Sequence, residues 1–457
     1  MKYISTRNNK LEFEFQDVFL KGLADDGGLY VPKSLKKYDK EKLLELKSLN
    51  YNELSIEIIS QFSGDFISKE ELSSLIKKSY STFRENEVVK ISNIGNIKLL
   101  ELFHGPTLAF KDIAMQFIGN LYEYYLNKND KKINIVVATS GDTGAAAIDA
   151  IKGKSNLNIF VLHPNNKISS VQRKIMTTVE DNNVFNIAVD GNFDDCQNIV
   201  KQMFSDLEFS KSINMSGVNS INWARIIAQS VYYFYSYFKL GKEIISFSVP
   251  TGNFGDVFAG YLAKKMGLPI KKLIVATNEN DILHRAISKG DYVSKEVRET
   301  LSPSMDIQLA SNFERLIYYV NNSDSEKTAE IMKKVKQNSY RIEKNNLDKI
   351  QKDFISESCN EKETLDIIKK NYEENNIILD PHTAVGVGAA KKLSFNDCVV
   401  LSTAHPCKFP NATDNAINKH ENLPEKLKHV LIKDEKFQVL KNDIEEVKNF
   451  VKAKLQN

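Results

Sequence analysis

The sequence predicts an α/β fold built on parallel sheets flanked by helices, on three observations. From about residue 130 onward, short β-rich apolar runs alternate with helical stretches. Each run ends in a turn of small or polar residues. The chain of 457 residues, 42% hydrophobic and 26% charged, is of ordinary globular composition and too long for one small core.

The first run, Ile133 to Ala138, leads into Thr139-Ser140-Gly141-Asp142-Thr143-Gly144 and an Ala-rich helix. Leu157 to Leu162 leads into His163-Pro164, and Val184 to Val189 into Asp190-Gly191-Asn192 and a further helix. Ile244 to Val249 leads into Pro250-Thr251-Gly252-Asn253-Phe254-Gly255-Asp256. Leu273 to Ala276 and Val399 to Leu401 end in Thr277-Asn278-Glu279 and Ser402-Thr403-Ala404-His405-Pro406. Such runs suit buried parallel strands joined by crossover helices, and ligands bind beyond the carboxyl ends of those strands. The conspicuous turns all fall at such ends, which argues for one site there.

Three blocks are expected: a mostly helical lobe over residues 1–90, an α/β body over 91–420, and a peripheral tail over 421–457. Within the body, residues 321–376 are rich in Lys, Glu, Asn and Asp with apolar residues at helical spacing, and read as surface helices.

Composition excludes several classes. Sixty-two basic residues against fifty-nine acidic leave a net charge of +3, and Lys pairs such as Lys131-Lys132 read as solvated faces, so no nucleic-acid partner is expected. No apolar run approaches the roughly 20 residues of a membrane span. No signal-peptide core follows Met1 to Arg7, and the four cysteines are scattered, so a cytoplasmic protein with reduced thiols is expected. The seven histidines show no zinc spacing, and no catalytic metal is expected.

Three segments carry chemistry. In Phe103-His104-Gly105-Pro106-Thr107-Leu108-Ala109-Phe110-Lys111-Asp112, a Gly-Pro turn feeds a lysine among apolar residues at a helix start. Desolvation and the helix dipole both favour a neutral, nucleophilic amine there. Pro250 to Asp256 has two glycines that let backbone approach an anion, with a helix N-terminus behind them. It lacks the Lys-Ser/Thr pair of a nucleotide loop, which favours a fixed cofactor phosphate over a triphosphate. Enlarging Gly252 or Gly255 is expected to cost that contact. Thr139 to Gly144 offers amides and hydroxyls suited to a carboxylate. Read alone, these segments also fit a surface lysine, a plain strand–helix turn and a capped helix.

Taken together and in this order, the segments resemble the threonine synthase family, fold-type II enzymes of pyridoxal phosphate (PLP) related to tryptophan synthase β and threonine dehydratase. The likeness runs from Tyr3 to about Phe409 and includes Gly22 to Pro32, Asn219-Ser220-Ile221-Asn222-Trp223-Ala224-Arg225, and Thr403 to Phe409. The resemblance implies that Lys111 carries the cofactor and that Gly252, Asn253, Phe254, Gly255 and Asp256 hold its phosphate. It implies that Thr403 faces the pyridine nitrogen and that Asp142 lies near the phenolic oxygen, although an anion there would repel a phenolate unless one is protonated. Thr139, Ser140 and Gly141 would bind the substrate carboxylate. Asn219 and Ser220, expected at a helix start, would grip the substrate phosphate with Arg225, whose fork of donors suits it. Cys407, where the family often has alanine, reads as packing.

The implied reaction converts O-phospho-L-homoserine and water to L-threonine and phosphate, with a small-molecule substrate and a monomeric or homodimeric enzyme. A related phospho-lyase giving 2-oxobutyrate would carry nearly the same motifs, and a catalytically silent metabolite-binding protein would share the fold.

Overall fold

The computed structural model describes residues 1–456. Its strands are β1 (Tyr3–Ser5), β2 (Tyr30–Pro32), β3 (Lys90–Ile94), β4 (Ile97–Glu101), β5 (Ile133–Ala138), β6 (Leu157–Pro164), β7 (Val184–Asp190), β8 (Met215–Ser216), β9 (Ile245–Pro250), β10 (Ile270–Thr277), β11 (Phe354–Ser358), β12 (Val399–Ser402) and β13 (Gln438–Lys441). The expected strands all form, within two or three residues of their expected ends. Ile133–Ala138 is β-branched at four of its six positions and has a buried centre, as a strand covered on both faces requires.

The chain divides into two compact units that interleave in sequence, rather than into three consecutive blocks. The first comprises Met1–His104 and Ser220–Glu421. Its sheet runs β11-β10-β9-β12-β4-β3, parallel except for the antiparallel β3–β4 edge. One face of that sheet packs on the Pro381–Lys392 helix through Ala384, Val385 and Val387, with Ile274, Leu99 and Val400 opposite them. The amino-terminal region holds an antiparallel pair, β1 with β2, and after it the helices Tyr51–Ser63 and Lys69–Tyr80.

The second unit comprises Gly105–Asn219 and the stretch from Asn422 onward. Its sheet runs β13-β7-β6-β5-β8, all parallel. The core on one face is Val136, Phe160, Leu162, Ile187 and Val189 against Ile199, Met203, Val447 and Val451.

Two expectations need correction. Residues 321–376 hold helices Ser325–Lys336, Lys344–Asp353 and Glu361–Asn375, but also β11, which pairs with β10 from Leu273↔Phe354 to Thr277↔Ser358. Nor are residues 421–456, the described part of the expected tail, peripheral. β13 adds a strand beside β7, Val447 and Val451 of the Ile444–Gln456 helix are fully buried, and Arg173 donates twice to Glu435. No helix among the described residues is long and apolar enough to cross a membrane.

Candidate active site

In the second unit, the helix Lys111–Asn129 begins at the lysine itself. Lys111 is buried, against the surface-lysine alternative. The turn before it is fixed by its neighbour: Asp112, fully buried, accepts from the Thr107 amide at 2.8 Å and the Thr107 hydroxyl at 2.5 Å. Both bonds run back along the chain and close the turn from which the lysine's helix starts. The helix packs on Asp142–Ile151, and Gln116 donates to Asp149 at 2.7 Å across that contact. The packing brings Lys111 Nζ to 3.4 Å from Asp142 Oδ2.

Asp142 opens its helix at the end of β5. Its other oxygen accepts from Gln172 Nε2 at 2.9 Å. Gln172, on the Ser170–Thr177 helix, belongs to no motif, and sequence reasoning missed it. Gly141, before Asp142, has φ +133°, and a Cβ there would lie 2.7 Å from Gln172 Nε2, so only glycine fits. The Thr139 hydroxyl accepts from the amides of Gly141 and Gly144 at 2.9 and 2.8 Å. Thr139 thus shapes the turn from within. The hydroxyls of Ser140 and Thr143 bond no other described residue.

In the first unit, β9 ends at Pro250 and a helix begins at Gly255. The amides of Gly252, Asn253, Phe254 and Gly255 donate to no other described residue. Unpaired amides converging at a helix N-terminus are an anion site. The left-handed residue in this turn is Phe254, at φ +63°; neither Gly252 nor Gly255 has positive φ. The two glycines differ in space. A Cβ on Gly252 would meet the Ser304 carbonyl oxygen at 2.4 Å, whereas one on Gly255 would meet Asn312 Nδ2 at 3.3 Å. The steric basis is strong at Gly252 and slight at Gly255, where the neighbour must give by only a few tenths of an ångström. Ser304 is itself anchored: its amide donates at 3.3 Å to His382 Nε2, and His382 Nδ1 lies 2.9 Å from Asp380.

Asp256 turns away from the loop. Its Oδ1 accepts from the hydroxyls of Tyr232 and Tyr233 at 2.6 and 2.8 Å, and its Oδ2 is buried with no partner. Burial pushes this carboxyl up to about 6, against the pull of the two tyrosines. The side chain is thus engaged by the two tyrosines, and a carboxylate would repel a phosphate.

Thr403 follows β12, the neighbour of β9, with Val399 beside Phe247 and Val400 beside Ser248. It is buried, and its hydroxyl bonds no other described residue. The Gly252–Gly255 turn and Thr403 thus lie at the carboxyl ends of adjacent parallel strands, where ligands of such sheets bind. Within the first unit, these features fit a ligand with a phosphate and a ring nitrogen; within the second, the buried lysine by itself fits an aldehyde.

Asn219 and Ser220 do not start a helix. The helix is Trp223–Leu240, and its N-cap is Asn222, which accepts from the Ala224 amide at 3.0 Å. Asn222 wins because its side chain also donates to Phe19 O at 2.9 Å, tying the cap to the amino-terminal lobe. Arg225 lies in the first turn, buried, with its guanidinium lowered to about 10 by desolvation. It remains a cation at neutral pH. Cys407 is buried and pushed up to about 12, and His405 Nδ1 accepts from its backbone amide at 3.3 Å, so this thiol is packing.

Comparison with known proteins covers nearly the whole chain. Residues 2–80 match the family described as threonine synthase N terminus, 88–403 the pyridoxal-phosphate dependent enzymes, and 383–451 threonine synthase, C-terminal. The threonine synthase of Pseudomonas aeruginosa is 43% identical over 99% of this chain and 98% of its own length. That of Saccharomyces cerevisiae is 44% identical, also over 99% and 98%. The crystal structure of PLP-bound threonine synthase from Brucella melitensis superposes with a TM-score of 0.96 at 43% identity, covering 100% of both chains.

Proposed function

The chain belongs to the threonine synthase family, with PLP as its cofactor and threonine synthase function, and from that premise we propose which residues do the work and on which substrate. The substrate is O-phospho-L-homoserine, and the reaction with water gives L-threonine and phosphate. The observation that carries this reading is the buried lysine at a helix start, 3.4 Å from the Asp142 carboxylate and beside a turn with free hydroxyls.

Lys111 holds the cofactor through its amine and, once released, takes the proton from the substrate's α-carbon on Nζ. PLP, when bound, draws electron density from that carbon and so lowers the barrier to proton loss. Asp142, 3.4 Å away, favours the charged form of the lysine after it has taken the proton. Gln172 keeps that carboxylate in place through its other oxygen. The Ser140 and Gly141 segment, shaped by Thr139, holds the substrate carboxylate. Gly252, Asn253, Phe254 and Gly255 hold the cofactor phosphate through their amides, and Thr403 gives the ring nitrogen a neutral hydroxyl partner. Asn219, Ser220 and Arg225 hold the substrate phosphate as it leaves.

The test is incubation of the PLP-loaded protein with O-phospho-L-homoserine, with threonine, 2-oxobutyrate and phosphate measured together. Threonine and phosphate in equal amounts are expected. Phosphate with 2-oxobutyrate would mean that water is not added, and no phosphate release would exclude this substrate.

A further inference from the structure

The two anion-binding segments of the first unit share one support. The helix Phe313–Val320 is preceded by Asn312, whose amide and Nδ2 both donate to the Asn253 carbonyl, at 3.1 and 3.0 Å. In a planar trans peptide the carbonyl and the next amide point in opposite directions. Holding Asn253 O against Asn312 therefore turns the Phe254 N–H away from it, toward the open side of the phosphate turn. Phe313 packs its ring edge-on to Phe254, with centroids 5.1 Å apart. Phe254 is the residue at φ +63°, a conformation that a bulky side chain keeps only when its surroundings enforce it.

The same turn reaches the other segment. Asn312 Nδ2 also donates to Ser220 O at 3.2 Å, and Arg315 Nη2 donates to Ile221 O at 2.7 Å. Arg315 Nη1 donates to the Asn312 side-chain oxygen, which fixes the amide that serves both carbonyls. Arg315 Nε donates to Tyr30 O at 3.0 Å. Glu314 points elsewhere, accepting from Thr6 Oγ1 at 2.6 Å and from Arg7 Nε and Nη2 at 2.9 and 2.7 Å. The amino-terminal stretch around Gly28 to Tyr30 thus gains a purpose: it docks on this turn.

Arg315 is fully buried and pairs with no carboxylate among the described residues. Its partners are carbonyl oxygens and the faces of Trp223 and Phe258, at 5.2 and 5.9 Å. A dry cation without an acid partner favours anions nearby, and the segments it holds are the two assigned to phosphates.

We propose that Asn312 and Arg315 form a clamp that sets the cofactor-phosphate turn at Asn253 and the substrate-phosphate segment at Ser220–Ile221 together, Arg315 as a positioning residue that also supplies charge. The proposal rests on the anion assignments made above. It distinguishes the clamp from ligands that serve one anion each: damage to the clamp loosens both.

The test compares wild type with Asn312→Ala, Arg315→Met and Arg315→Lys. PLP affinity is read by titrating each apoprotein, inorganic phosphate affinity from inhibition of each holoenzyme, and integrity from the melting temperature. Asn312→Ala and Arg315→Met are expected to weaken PLP and phosphate alike, each by about tenfold or more. Arg315→Lys, which keeps the charge without the fork, is expected to recover phosphate affinity in part. If Arg315→Met does not fold, Asn312→Ala decides the matter alone. Folded variants that bind both anions as wild type does, or that lose only one of them, overturn the clamp. A wild type that binds no inorganic phosphate overturns the assignment of the Ser220 segment itself, a result distinguishable from failure of the clamp.

Discussion

Replacing Gly252 by alanine puts one methyl group 2.4 Å from the Ser304 carbonyl oxygen and 3.2 Å from Ile307 Cδ1. Ordinary contact begins near 3.4 Å, so the loop or its neighbour must move by about 1 Å. Ser304 does not yield freely, because its amide is held by His382 and that ring by Asp380. The displacement therefore falls on the turn proposed to hold the cofactor phosphate. Overpacking of this size costs about 1–3 kcal/mol, equivalent to a roughly fivefold to hundredfold weaker PLP affinity. Gly255→Ala is the control. Its Cβ would lie 3.3 Å from Asn312 Nδ2, 3.7 Å from Ser220 O and 3.8 Å from Ile226 Cδ1, so only the first must give, by a few tenths of an ångström, and its φ is not positive. A loss of less than about 0.5 kcal/mol, roughly twofold, is expected there. The assay is titration of each apoprotein with PLP, followed by the visible absorption of the bound cofactor. Wild-type affinity in Gly252→Ala, or a larger loss in Gly255→Ala, would refute the steric argument.

Lys111→Ala is expected to lose the visible band of lysine-bound cofactor and all turnover while melting near the wild-type temperature; retained turnover would exclude Lys111 as the base. Arg225→Ala is expected to lower kcat/KM for O-phospho-L-homoserine by about tenfold to a hundredfold, the value of one charge-assisted hydrogen bond. PLP affinity should stay nearly intact, and an equal loss of both, measured on one preparation, would place Arg225 in the cofactor site instead. Asp256→Asn tests the buried carboxyl. Its folded value, raised to about 6, lies above the ordinary carboxylate range. The protonated form is thus favoured by folding, and its stabilising effect is full at low pH and is lost as pH rises through about 6. Urea unfolding at about pH 5 and about pH 8 should show wild type losing roughly 1 kcal/mol more than the variant over that interval. Parallel curves would remove Asp256 as the cause.

Much of this was legible because it is local. Strands such as Ile133–Ala138 announce themselves by runs of β-branched residues, and Lys111 by a Gly-Pro turn followed by a helix. β11 was hidden because only Phe354 and Ile355 of Phe-Ile-Ser-Glu-Ser are apolar. It lies at the sheet edge beside β10, where one buried face suffices. The start of the helix after Asn219 was misplaced because Asn219, Ser220 and Asn222 are all good caps. A bond from Asn222 to Phe19, 203 residues away in sequence, selects among them. The positive φ of Phe254 ran against the glycines on either side of it, since Asn312 and Phe313 enforce it from a distant helix. Gln172, Asn312 and Arg315 lie outside every motif. Their roles exist only once helices pack, and no spacing along the chain records that.

The central claim is that Lys111 is the amine that carries the cofactor. The most direct measurement is borohydride reduction of the PLP-loaded protein, which makes the lysine–cofactor bond permanent, followed by peptide mapping. The pyridoxyl mass is expected on the peptide containing Lys111. The same mass on another lysine, for instance the buried Lys408, with Lys111 unmodified, would contradict it.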